Sequence, residues 1–184
     1  MATLRPEPQE VMTVSISFHR SVAAVAALVL SFTASPAAPV TRIVVGPVAL
    51  SVPDGFKDVA GKTPTIRQEA SGIAIEASEL PPQALHEFKG PAFLEFLQSL
   101  GYTDATYADG GLKRAGPYTY VLADAKGAQG PESRFLLVIG GEGRAAIVTA
   151  YAPKSEIANG HASRATIEAV LDTAEVLPAP AAKP

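Results

Sequence analysis

Histidine is the side chain that most often serves as acid, base or metal ligand near neutral pH, and this sequence has three: His19, His86 and His161. His86 is followed by Glu87, the start of a zinc-helix pattern. The second histidine needed one helical turn later is absent, because position 90 is Gly90. His161 stands beside Asn159-Gly160, where a helix is expected to begin, and reads as a solvated loop residue. A serine hydrolase would present its nucleophile on a strained turn such as Gly-x-Ser-x-Gly, and no such pentapeptide occurs. Gly140, Gly141 and Gly143 resemble a phosphate loop only in composition. They separate two β-prone runs and lack the Gly-Lys-Ser/Thr ending, so a tight hairpin is expected. No catalytic set, metal site or cofactor is therefore assigned.

Recognition is the better use of the remaining candidates. Tyr118 and Tyr120 occupy alternate positions of one expected strand and share a face, with Leu122 continuing the row. If a helix covers that face they are core residues with hydroxyls at the rim, which is the favoured arrangement. If it is open they form an aromatic patch for a partner or ligand. Tyr118 and Tyr120, with Arg134 nearby, are the candidate recognition surface. A pocket between sheet and helix where Tyr118, Tyr120, Arg134 or His86 converge would instead suit a small-ligand binder or a hydrolase.

Composition limits the partners. Fifteen Lys and Arg stand against 18 Asp and Glu, a slight acidic excess without runs of like charge. Nucleic acid and anionic membranes both demand clustered Lys and Arg, so neither is expected as a partner. The chain has no cysteine, which excludes disulfides, thiolate metal sites and thiol catalysis. Hydrophobic residues make up 47% and charged residues 18% of the chain, a globular composition.

The elements that would position these residues begin after an export signal. Val22 to Leu30 is continuously apolar, follows Arg20 and leads into Ser35 and Ala37, the order of a secretory leader. Cleavage after Ala37 fits best. The apolar stretch Ser21 to Ala34 is about 14 residues, short of the roughly 20 that span a bilayer. Met12 offers an alternative, more compact start than the acidic Met1 to Val11 segment. Residues 1–37 are thus expected as a signal peptide, 38–177 as one α+β domain and 178–184 as an unstructured Pro/Ala tail. Periplasmic or secreted localisation follows.

Within that domain the alternation of Val48, Leu50 and Val52 predicts a first strand over Pro47 to Pro53, ended by Pro53-Asp54-Gly55. Thr65 to Glu69 and Gly72 to Ser78 read as a hairpin. Phe93, Phe96, Leu97 and Leu100 recur at helical spacing, predicting a helix from Pro91 to Leu100 that stops at Gly101. Strands follow at Thr103 to Ala108, Pro117 to Ala125, Arg134 to Ile139 and Arg144 to Tyr151. Phe135 to Ile139 is apolar throughout and belongs in the middle of the sheet. Ile167, Val170, Leu171 and Ala174 predict a last helix over Ala162 to Glu175.

An antiparallel sheet with a helix after its first hairpin and another at its C-terminus, opening with Val52-Pro53-Asp54-Gly55-Phe56, resembles the PsbP-like fold that includes bacterial DcrB-type envelope proteins. That resemblance implies an α/β/α sandwich and a role in binding or supporting larger assemblies, with an envelope protein as partner and without catalysis. DcrB-type members carry a lipid-modified cysteine, which this chain lacks, so no stable membrane anchor is expected after signal cleavage.

Overall fold

A computed structural model describes residues 39–108, 110–141 and 143–179. The leader expected over 1–37, and most of the expected Pro/Ala tail, lie outside them. The chain runs β1 (Val40–Val45), β2 (Val48–Pro53), β3 (Phe56–Val59), β4 (Thr65–Gln68) and β5 (Ala74–Leu80) into two helices, α1 (Ala84–Glu87) and α2 (Pro91–Ser99). It continues through β6 (Thr103–Tyr107), β7 (Tyr118–Gly127), β8 (Gly130–Gly141) and β9 (Arg144–Pro153). It closes on α3 (Lys154–Ala158), α4 (Arg164–Asp172) and β10 (Glu175–Val176).

Seven strands form one antiparallel sheet in the order β3-β4-β5-β9-β8-β7-β6, and a smaller sheet is ordered β1-β2-β10. The fold class is α+β. As the apolar run Phe135 to Ile139 predicts, β8 is an interior strand, and each of these five residues is at most 3% exposed. Strands β8 and β9 are joined by a two-residue turn between the paired residues Gly141 and Arg144. Gly143 in that turn has φ of 71°, a conformation that favours glycine.

One sheet face, carrying Tyr120, Phe135, Leu137, Ile139, Val148 and Ile75, packs on the main core. Both α4, through Ile167, Val170 and Leu171, and the small sheet, through Val48, Leu50 and Val52, bury apolar surface there. The opposite face carries a second cluster in which Phe93 and Leu97 of α2 cover Val121, Ala123 and Leu136. Helices thus lie on both faces, with the small sheet sharing one of them.

Several expected elements are redrawn. Strand β2 is the second strand: β1 precedes it as an edge whose Val40 and Val44 are 62% and 57% exposed, so it shows no buried alternation. Strand β3, three of its four residues exposed, is hidden in sequence for the same reason. The stripe of α2 is only half used. Phe93 and Leu97 are buried, whereas Phe96 and Leu100 are 49% and 58% exposed, because α2 sits at the β6 margin of the sheet. Helix α4 ends at Asp172, short of Glu175. Thr173 accepts from the Ser51 amide at 2.8 Å, and the following Glu175–Val176 pairs with β2. A long loop links β6 to β7.

Candidate functional site

The three sequence candidates do not make one surface. Pairing between β7 and β8 sets Tyr118 opposite Ile139, Tyr120 opposite Leu137 and Ala123 opposite Arg134. Side chains alternate across a strand, so the tyrosines point into the main core and Arg134 lies on the other face. Tyr120 is fully buried and donates its hydroxyl to Glu168 Oε1 at 3.0 Å, tying β7 to α4. Burial, with the Glu168 carboxylate second, pushes that phenol far above its usual range.

Tyr118 is half-buried beneath the β6–β7 loop: it donates to the Leu112 carbonyl and accepts from the Gly110 amide. The same loop reaches α4, where Arg114 donates to the Leu171 and Ala174 carbonyls and the Lys113 amide donates to Asp172. The Arg114 guanidinium thereby adds donors at the C-terminal end of α4, where carbonyls run out of intrahelical partners, and the Lys113 amide ties the loop to the Asp172 carboxylate. The face is covered by α4 and this loop, so the open aromatic patch does not form there. His86 is exposed on α1, and His161 pairs with Glu156 at 2.7 Å in the solvated turn before α4. Neither converges with the tyrosines or Arg134. Among the described residues no group of three or more His, Asp or Glu is placed to hold a metal ion.

Arg134 does centre a cluster, on the half of the outer face that α2 leaves uncovered by the described residues. Register places Arg67 of β4, Ala74 of β5, Tyr151 of β9 and Arg134 of β8 in one row across four adjacent strands. Glu76 and Thr149 face each other in the next row. The Arg134 guanidinium carbon stands 4.1 Å from the centre of the Tyr151 ring, and its Nη2 donates to Glu132 Oε2 at 2.6 Å. A cation over a tyrosine face is held by the ring's quadrupole. The Glu132 side chain is only 8% exposed. It fits because Gly127 has no side chain: a Cβ there would stand 1.9 Å from Glu132 Oε1.

These residues border an open cleft of about 280 Å³, lined by Arg67, Ala74, Gln129, Glu132, Arg134 and Tyr151. Burial raises the Glu76 carboxyl above the usual range; nearby Arg134 opposes this and Glu132 adds to it. Burial likewise raises the phenols of Tyr151 and Tyr102, the latter in the α2–β6 connection and within the field of Arg134, Glu76 and Glu132. The arrangement offers pre-set guanidinium, phenol and carboxyl groups, the chemistry of polar and charged recognition.

Sequence reasoning found Arg134 and missed Arg67, Glu76, Glu132 and Tyr151. One signal was available for Tyr151. The turn glycine Gly143 closes the β8–β9 hairpin, and a tight turn there sets Tyr151 directly opposite Arg134.

No protein-family model matches this chain, and no curated protein matches it. Solved structures give distant likenesses. The Ran-binding protein Mog1p of Saccharomyces cerevisiae aligns at 13% identity and TM-score 0.48, over 77% of this chain and 97% of that one. LpqN of Mycobacterium tuberculosis, involved in cell envelope biogenesis, aligns at 14% identity and TM-score 0.44, over 76% and 92%. A structure from Bacteroides thetaiotaomicron aligns at 12% identity and TM-score 0.46, over 73% of this chain and 47% of that one. Likenesses this weak do not identify a partner or an activity.

Proposed function

We propose that this chain is an exported accessory or binding protein of the bacterial cell envelope, acting without catalysis through the open half of the outer sheet face around Arg134. The observation that carries the reading is the fixing of Arg134: its guanidinium lies on Tyr151 and is tied to Glu132 beside an open cleft. A held guanidinium loses little side-chain freedom on binding, which is one reason arginine is frequent at recognition sites. The leader-like segment Val22 to Leu30 and the PsbP-like order of elements support export and an accessory role. No helix among the described residues is long and apolar enough to cross a membrane.

The test uses the tagged full-length protein, cross-linked in envelope fractions, with wild type, Arg134→Ala and Tyr118→Phe compared side by side. A partner captured by wild type and by Tyr118→Phe, but lost with Arg134→Ala while the melting curve persists, is the expected result. A partner profile unchanged by Arg134→Ala would remove the assignment to this face.

A further inference from the structure

We infer that the notch over Ala74, between Arg67 and Tyr151, is a binding site for a carboxylate group carried on a small apolar body. The inference rests on the recognition role of the open face, and it names the chemistry that the face selects. The notch follows from register. Arg67, Ala74 and Tyr151 are direct neighbours across β4, β5 and β9, and adjacent strands lie roughly 4.8 Å apart. A methyl side chain between two long ones leaves a depression whose floor is Ala74, itself 2% exposed. Val59 adds apolar wall on the β3 side.

The charges around the notch are unevenly matched. Arg134 is engaged by Glu132 and by the Tyr151 ring. Arg67 is half-buried and borders the same cleft, and its side chain makes no hydrogen bond or ion pair with any described residue. Its guanidinium is a planar fork suited to two parallel bonds to a carboxylate. The Tyr151 hydroxyl, also without a hydrogen-bond partner among the described residues, is a further donor on the other side of the notch. Arg67 offers one fork for the two oxygens of a single carboxylate, and the carboxyls of Glu132 and Glu76 close by disfavour the second negative charge of a phosphate monoester. The cleft of about 280 Å³ lies at the small end for ligand pockets, the size of a single headgroup and its immediate body.

Benzoate is the probe, with benzamide as its uncharged counterpart of the same shape and phenyl phosphate as the dianion. The full-length protein is titrated with each while the arginine Nε–H resonances are followed by NMR. Benzoate is expected to shift the Arg67 resonance saturably, with benzamide inactive and phenyl phosphate weaker. Arg67→Ala should weaken benzoate at least about tenfold, the loss of one charge-assisted contact, and Arg67→Lys should fall between. Melting curves of both variants confirm that they are folded.

Equal responses to benzoate and benzamide, or benzoate binding undiminished in Arg67→Ala, would overturn the inference. A phosphate response stronger than the benzoate response would overturn the carboxylate assignment. The source of the carboxylate is read in the capture experiment. Benzoate that displaces a captured partner places the group on that partner, and benzoate that binds without displacing it identifies a free acid. Loss of the accessory role with benzoate binding retained would separate failure of that reading from failure of this one.

Discussion

Arg134 and Tyr151 are direct cross-strand partners of β8 and β9, and the guanidinium carbon of one lies 4.1 Å from the ring centre of the other. The ring compensates for a missing bond, since Arg134 Nε is buried and has no hydrogen-bond partner among the described residues. Tyr151→Leu keeps an apolar side chain and removes the π-face. It is expected to lower stability by about 0.5–2 kcal/mol, whereas Tyr151→Phe should be nearly neutral. Urea unfolding of the three proteins checks this. Equal losses for Leu and Phe would show that the ring does not hold the arginine.

Tyr120 is a strut between the sheet and α4. Tyr120→Phe removes the hydroxyl bonded to Glu168, and Glu168 keeps its bond from Arg164 Nε at 2.8 Å, so no buried acceptor is orphaned. The expected cost is about 1 kcal/mol. Tyr120→Ala opens a cavity in the main core and should cost about 3–5 kcal/mol. Denaturant midpoints measure both, and similar small effects would contradict the buried placement.

Gly127 is the residue that allows Glu132 its position. Gly127→Ala is expected to drive the carboxylate from its place, separating it from Arg134 at a cost of about 1–3 kcal/mol. In a Glu132→Ala background the same substitution should cost much less, because the obstructed group is gone. A double-mutant cycle with no coupling between the two positions would refute this account.

Glu76 gives the pH dependence. Burial raises its native carboxyl pKa, so the folded protein holds that proton more tightly than the unfolded chain. The resulting stability is fully present below the unfolded value of about 4.3 and is lost as pH rises through the raised native value. Glu76→Gln should therefore match wild type near pH 4 and become the more stable of the two toward neutrality. Urea midpoints across that range test it, and a difference that stays constant with pH would exclude it.

Local patterns carried much of the fold. The alternation in β2, the all-apolar run in β8, the 3.6-residue recurrence in α4 and the turn glycine between β8 and β9 each act between residues close in sequence. The missed strands, β1, β3 and β10, are short or exposed edge segments, and the missed helices α1 and α3 are only 4 and 5 residues long. The strands' backbone pairing is supplied by other strands, and each buries a single side chain, Val45, Phe56 or Val176, too few to set a readable alternation. The exposed half of the α2 stripe has a related cause, because periodicity identifies an apolar face without specifying how far the sheet extends beneath it.

The sequence by itself determined that the chain forms an α+β domain with an interior β8, and that Tyr118 and Tyr120 share a face. Only the tertiary structure decided that this face is closed by α4 and the β6–β7 loop, and that Arg134 lies on the opposite one. It alone assembled the row Arg67, Ala74, Tyr151 and Arg134, since the pairing of β5 with β9 joins residues more than sixty positions apart. No turn within the intervening chain specifies that register. It is set by which apolar faces are buried together, because a slip of one residue would turn Ile75 and Ala77 out of the core and Glu76 into it.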